Sequence, residues 1–281
     1  MKKLLVLTDF TANASHAEAA ALRIAAKIGA GILLYHTLPY VPLIPSDSGG
    51  PYVTETANML FEDSKERLMQ EADKLKEIGV MTPGCEVRIE ERNGDGSIGD
   101  VIADLTNDPD ILLVIMGGRS GGALDHILSG SDTAAVMRKA TKPVLIIPMN
   151  AAFIIPGKVV FATDFGTADI KAVGFLHDLS VKLGFELDIV HMIPHGEVNT
   201  KIEPEVSFRK YLNQHRLNFN QVFTDDVHRG LRHYCQEKNT DLLAMAHGHH
   251  SFVSRLFGHS ESIAMISDQQ FSVLVFPPGF K

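Results

Sequence analysis

Two parts of the sequence carry residue types and spacings suited to chemistry. In the first, an unbroken apolar run over 111–116 meets Gly117-Gly118-Arg119-Ser120, and polar residues resume at Gly130-Ser131-Asp132-Thr133. Such a run suits a strand covered on both faces. The glycines are expected to end it and turn the chain sharply. Gly130-Ser131 then opens a segment of helical apolar spacing over 132–140. A turn after a parallel strand, leading to a helix start, presents free N–H groups that favour an anion. The chemistry expected here is phosphate binding, with Met116 at the strand end and Arg119 offsetting the carboxylate of Asp132. The alternative is that the fold requires these turns whether or not a ligand binds. Thr8-Asp9, just past the apolar strand 3–7, presents the same choice: a ligand-side acid, or a helix cap and turn former.

In the second part, His247, His249, His250 and His259 form the densest histidine cluster. Neutral imidazoles bind zinc. The spacing matches no H-x3-H helix, however, no carboxylate is adjacent, and Cys85 and Cys235 lie elsewhere in sequence. The expectation is that no metal is required, with a metal or small-molecule site at His247, His249 and His250 as the minor alternative. No Walker loop, HExxH pair or Ser-His-Asp order stands out. Hydrolysis of a nucleotide needs a positioned base and a Mg²⁺ ligand. The chain is therefore expected not to be an enzyme, with slow ATP hydrolysis left open and a small-molecule-binding enzyme as a weaker option.

With 26 basic and 34 acidic residues the chain carries a formal charge of −8. That argues against nucleic acid as the main partner, since duplex binding needs a basic face. No apolar run reaches the roughly 20 residues of a membrane span. The apolar start at Leu4 meets Thr8-Asp9 at once and reads as a first strand rather than a leader. Two cysteines cannot form a disulfide framework in 281 residues, and a cytoplasmic location is expected.

The elements that must position these residues alternate. Strands are expected at 3–7, 32–36, 86–90, 111–116 and 143–148. Helices are expected at 15–28, 57–79, 98–105 and 132–140. A proline-rich loop over 39–56 could act as a lid, and Asn93-Gly94-Asp95-Gly96 reads as a turn. Regular alternation predicts an α/β fold with a parallel sheet. The pattern restarts at Lys158. Thr8-Asp9-Phe10 reappears as Thr163-Asp164-Phe165, and His36 as His191, all offset by 155 (191 − 36 = 155). Met116 and Met245, then Val144 and Val273, are offset by 129, so the second copy is 26 residues shorter (155 − 129 = 26). This predicts a tandem duplication with domains 1–150 and 151–281.

At these residues the chain resembles the universal stress protein family in its tandem-domain form. The family has a Thr/Ser-Asp pair after strand one, a late G-x2-G-x9-G-(S/T) signature and a final strand like Pro143-Val144-Leu145-Ile146-Ile147-Pro148. The resemblance implies two flavodoxin-like (adenine nucleotide alpha hydrolase-like) domains of five parallel strands, each in the order 3-2-1-4-5. It implies that the final strands of the two domains pair with each other, with a homodimer as a further partner state. In ATP-binding members the acid after strand one lies by the adenine end. The glycine loop and the final Gly-Ser/Thr hold ribose and phosphates; another branch keeps the fold without ATP. Carried over, Asp9, Gly117, Gly130 and Ser131 match, and Ser120 stands at the second glycine. The implied binding set is Thr8, Asp9, Met116, Gly117, Gly118, Arg119, Ser120, Gly130, Ser131 and Thr133. In the second copy Ala246, His249 and His259 occupy the three glycine positions, and Ser260 keeps the last hydroxyl. The expectation is a cytoplasmic regulatory protein that takes ATP or another adenine nucleotide in its first domain. The alternative is a stress scaffold that binds no nucleotide and acts through partner or dimer surfaces.

Overall fold

The computed structural model describes residues 1–38, 52–81, 86–118, 131–149, 155–196, 202–247 and 271–280. The front half runs β1 (Lys3–Leu7), α1 (Ala12–Ile28), β2 (Gly31–Leu38), α2 (Tyr52–Met81), β3 (Ile89–Asp95), α3 (Ile98–Asn107), β4 (Ile111–Gly118), α4 (Ser131–Lys139) and β5 (Val144–Pro148). The rear half runs β6 (Lys158–Ala162), α5 (Asp169–Leu183), β7 (Glu186–Pro194), α6 (Ile202–Gln214), β8 (Asn218–Thr224), α7 (Val227–Glu237), β9 (Leu242–Ala246) and β10 (Ser272–Phe276).

All ten strands form one sheet, in the order β3-β2-β1-β4-β5-β10-β9-β6-β7-β8. Each half has the expected order 3-2-1-4-5, the rear half reading 8-7-6-9-10. Neighbours within a half are parallel; the seam is antiparallel, pairing Val144 with Val275 and Ile146 with Val273. Each final strand thus covers the other's unpaired edge. The duplication extends to register. Lys3 pairs with Gly31 and Lys158 with Glu186, both shifted by 155. Val114 pairs with Val144 and Leu243 with Val273, both shifted by 129.

Alternate residues of each strand face opposite layers. Leu4, Val6, Ile32, Leu34, Leu113, Ile115, Leu145 and Ile147 pack under α1 and α2. Leu5, Leu7, Leu33, Tyr35, Val114 and Ile146 pack on the α3 and α4 side. Helix α1 lies close to the sheet because its inner face is alanine: Ala14, Ala17, Ala20, Ala21 and Ala25 are buried. Thr11 caps its start by accepting the Ala14 N–H at 3.3 Å. Gly29, at φ 67, ends it in the left-handed conformation.

Three expectations are corrected. The strand does not stop at Met116: Gly117 and Gly118 are the last two residues of β4, paired with Ile147 and Pro148, because β5 extends the ladder that far. The third strand runs over Ile89–Asp95, so Asn93, Gly94 and Asp95 pair with His36, Thr37 and Leu38. The turn shrinks to Gly96, at φ 93, whose N–H meets the Leu38 carbonyl at 2.9 Å. Helix α2 begins at Tyr52, inside the expected 39–56 loop; residues 39–51 of that loop lie outside the described residues, as does Cys85. Cys235 is buried, and burial pushes its thiol up to about 12, which makes it unreactive. Among the described residues no helix is long and apolar enough to cross a membrane.

Candidate functional site

At the carboxyl ends of β1, β2 and β4 lies a cleft of about 180 Å³. Strand β1 delivers the elbow Thr8-Asp9-Phe10. Thr8 is buried, and its Oγ1 accepts the Phe10 N–H at 3.1 Å, which holds Phe10 at φ 61. This left-handed conformation is uncommon for a bulky residue and needs local support. The support is visible. The Phe10 ring lies 4.3 Å from the His36 ring, and the Arg67 guanidinium covers Phe10 at 4.3 Å. His36 Nδ1–H donates to the Thr8 carbonyl at 2.7 Å. Burial pulls the pKa of His36 below its ordinary value, which keeps the ring neutral for this role.

Asp9 stands exposed at the apex of the elbow. Its Oδ1 accepts both the Thr11 N–H at 3.1 Å and the Thr11 hydroxyl at 2.5 Å. Asp9 is thus a turn former that also lines the cleft. The two readings of this residue are compatible. Opposite, Gly117 on β4 lies against the start of α1: a Cβ there would fall 2.5 Å from the Asn13 carbonyl oxygen. Glycine is required at this point by close backbone approach.

Of the ten residues expected to bind, Thr8, Asp9, Met116, Gly117 and Thr133 line this one cleft. Gly118 is buried one residue further along β4. Ser131 begins α4. Arg119, Ser120 and Gly130 lie outside the described residues, as do His249, His250 and His259. His247 follows β9, its N–H bonded to the Phe276 carbonyl at 2.8 Å. Among the described residues no three His, Cys, Asp or Glu side chains gather as a metal-holding group.

The cleft includes residues that sequence patterns did not single out. Tyr35, Thr37 and Ile98 line it, with Asn13 and Ala14 from α1. Tyr35 reaches across β3 above Gly94, where any Cβ would fall on the phenol. The signal for this pair was an aromatic residue on β2 beside a glycine in a strand interior. Exposed Asp132, at the start of α4, adds a second carboxylate to the cleft that Asp9 lines.

The family model for universal stress proteins matches residues 1–148. The chain belongs to the universal stress protein family. A universal stress protein of Mycolicibacterium smegmatis is 25% identical over 279 residues, covering 92% of each chain. Among solved structures, a universal stress protein from Archaeoglobus fulgidus superposes with a TM-score of 0.69 at 20% identity, covering 98% of this chain and 96% of that one. A functionally unknown protein from Pseudomonas aeruginosa gives 0.57 at 13% identity, covering 99% and 93%. These structural likenesses show a shared fold along the whole length of the universal stress protein described here.

Proposed function

We propose that this universal stress protein is a cytoplasmic regulatory module that binds ATP or another adenine nucleotide in the front-half cleft. One observation carries the reading. Thr8, Asp9, Met116, Gly117 and Thr133 span more than a hundred positions in sequence, yet line one cleft beside the start of α1. The start of a helix offers unpaired N–H groups to an anion. Strand ends of this kind are where open α/β sheets bind ligands. On this reading, which follows the family resemblance, adenine sits beside Asp9 and the phosphates towards Gly130 and Ser131. The domains divide near residue 150, the rear copy lacks a phosphate turn, and homodimers form through surfaces other than the β5–β10 seam.

A second reading has its own support. Asp9 and Asp132 both face the cleft, and two carboxylates oppose a triphosphate. On that reading the protein is a scaffold acting through its surfaces. Mass spectrometry of the purified protein under native conditions separates the two. An adenine nucleotide retained at one per chain, and restored by titration after its removal, is the expected result. Absence of retained nucleotide, together with no calorimetric response to millimolar ATP, ADP or AMP, would leave only the scaffold.

A further inference from the structure

Glu18 lies in the second turn of α1 and is 1% exposed. Its Oε1 is buried without a hydrogen-bond partner. The Thr8 hydroxyl, which belongs to the cleft elbow, lies near its carboxyl and favours the ionised form. The charged groups facing it are Glu71 and Lys74 of α2, paired with each other at 2.8 Å, and Asp9 of the elbow. The strands under α1 offer only the apolar Leu4, Val6, Ile32, Leu34, Leu113, Ile115, Leu145 and Ile147. A carboxylate in such a place is poorly solvated and half satisfied.

We propose that Glu18 is a proton switch coupling the nucleotide cleft to the packing of α1 against α2. Protonated, the carboxyl is neutral and sits stably between the helices. Ionised, it adds a buried negative charge beside Glu71 and beneath the Thr8–Asp9 elbow. Burial, then the charges of Glu71 and Asp9, push its pKa up to about 7, where small changes in cellular pH change its charge. Asp9 lines the cleft and already acts on Glu18 through its charge, so the negative charge of phosphates held elsewhere in the same cleft acts in the same direction. Anion binding and protonation of Glu18 therefore assist one another, and by reciprocity each strengthens the other equally. The coupling, though not the titration of Glu18, rests on the nucleotide reading above.

The test has two arms. In the ligand-free arm, the Glu18 carboxyl carbon is followed by NMR in the intact protein. A midpoint near neutrality is expected; a midpoint below about 5.5, close to that of an ordinary glutamate, overturns the switch. In the ligand arm, ATP is titrated at about pH 6 and about pH 8 into wild type, Glu18→Gln and Glu18→Val. The wild type should bind roughly tenfold more tightly at the lower pH, beyond any change in the variants. Comparison with the variants cancels the titration of the phosphates themselves. Equal pH dependence in all three proteins overturns the coupling. Absence of ATP binding at either pH overturns the nucleotide reading and the coupling together, and the NMR midpoint then judges Glu18 alone.

Discussion

At the end of β1 the Thr8 hydroxyl meets a glutamate from the second turn of α1. At the end of β6 the Thr163 hydroxyl donates to Asp169, from the first turn of α5, at 2.5 Å. The two carboxylates are not equivalent positions. Shifted by 155, Glu18 corresponds to Val173 (18 + 155 = 173), and Asp169 corresponds to Ala14 (169 − 155 = 14). Their surroundings differ too. Asp169 also accepts the Gly166 N–H at 3.1 Å, whereas Glu18 keeps an oxygen without a partner. The rear copy has built its buried charge into a network that fastens the helix start. The front copy leaves its charge unfastened, beside an open cleft.

A second contrast accompanies the first. Gly117 corresponds to Ala246 (117 + 129 = 246). With glycine, the start of α1 lies on the end of β4 and the helix begins at Ala12, capped by Thr11. With alanine, α5 begins at Asp169, two residues later than the 155 shift would place it (169 − 12 = 157), and its cap residue Ala168 offers no side-chain bond. The rear half holds its helix start through Asp169 instead.

The largest expected effect follows from Asp169. Replacing it with alanine removes the hydrogen bonds from the buried Thr163 hydroxyl and the half-buried Gly166 N–H. A loss of about 3 kcal/mol in unfolding free energy is expected by chemical denaturation. If Asp169→Ala unfolds at the same denaturant concentration as wild type, the network is not what fastens the rear helix.

Glu18 predicts the opposite sign. Its folded pKa of about 7 lies above the ordinary 4.5, so the folded state holds a proton that the unfolded state has already released. Stability from this group is fully present below about pH 4.5, falls as pH rises, and levels off above about pH 7, a total of about 3 kcal/mol. Glu18→Gln should flatten this part of the profile and raise the melting temperature at pH 8. A wild-type profile parallel to that of Glu18→Gln between pH 5 and pH 8 would remove the contrast between the two carboxylates.

Gly117→Ala tests the second contrast. The new methyl must displace the backbone at Asn13, an overpacking expected to cost about 1–3 kcal/mol and to weaken any cleft ligand. Ala246→Gly, in the rear copy, should cost no more than about 1 kcal/mol, from added backbone freedom alone. Equal effects at the two sites would mean that the glycine does not set where α1 begins.

Much of this architecture was legible because the repeats mark physical units. Thr8, Asp9, Phe10 and His36 recur at one offset because they form a single clamp. His191 Nδ1–H donates to the Thr163 carbonyl at 2.8 Å, and its ring lies tilted 4.3 Å from that of Phe165, as the His36 ring does from that of Phe10. Phe165 likewise has φ 60. The buried parallel strands were legible from their apolar runs. Strand β3 was not: it is an edge strand of sequence Ile-Glu-Glu-Arg-Asn-Gly-Asp, mostly half-buried or exposed, and its ends are set by pairing with β2. Glu18 was illegible for a related reason. In an amphipathic helix a lone glutamate reads as solvent-facing, and only the packing of α2 over α1 encloses it. Tyr35 was hidden because its place in the cleft depends on Gly94, nearly sixty residues away.

The smallest effect bears on which half binds. Ser120 stands where the family signature has its second glycine, and glycine at such a turn lets backbone approach phosphate. Restoring it by Ser120→Gly should tighten ATP binding by up to about tenfold, the equivalent of roughly 1.4 kcal/mol. Replacing His249, the rear counterpart of Ser120, with glycine should leave ATP affinity unchanged. Calorimetry on the two variants reads the difference directly. Tightening in the rear variant alone would move the nucleotide to the half whose strand ends in alanine, and the division of labour between the copies would have to be reversed.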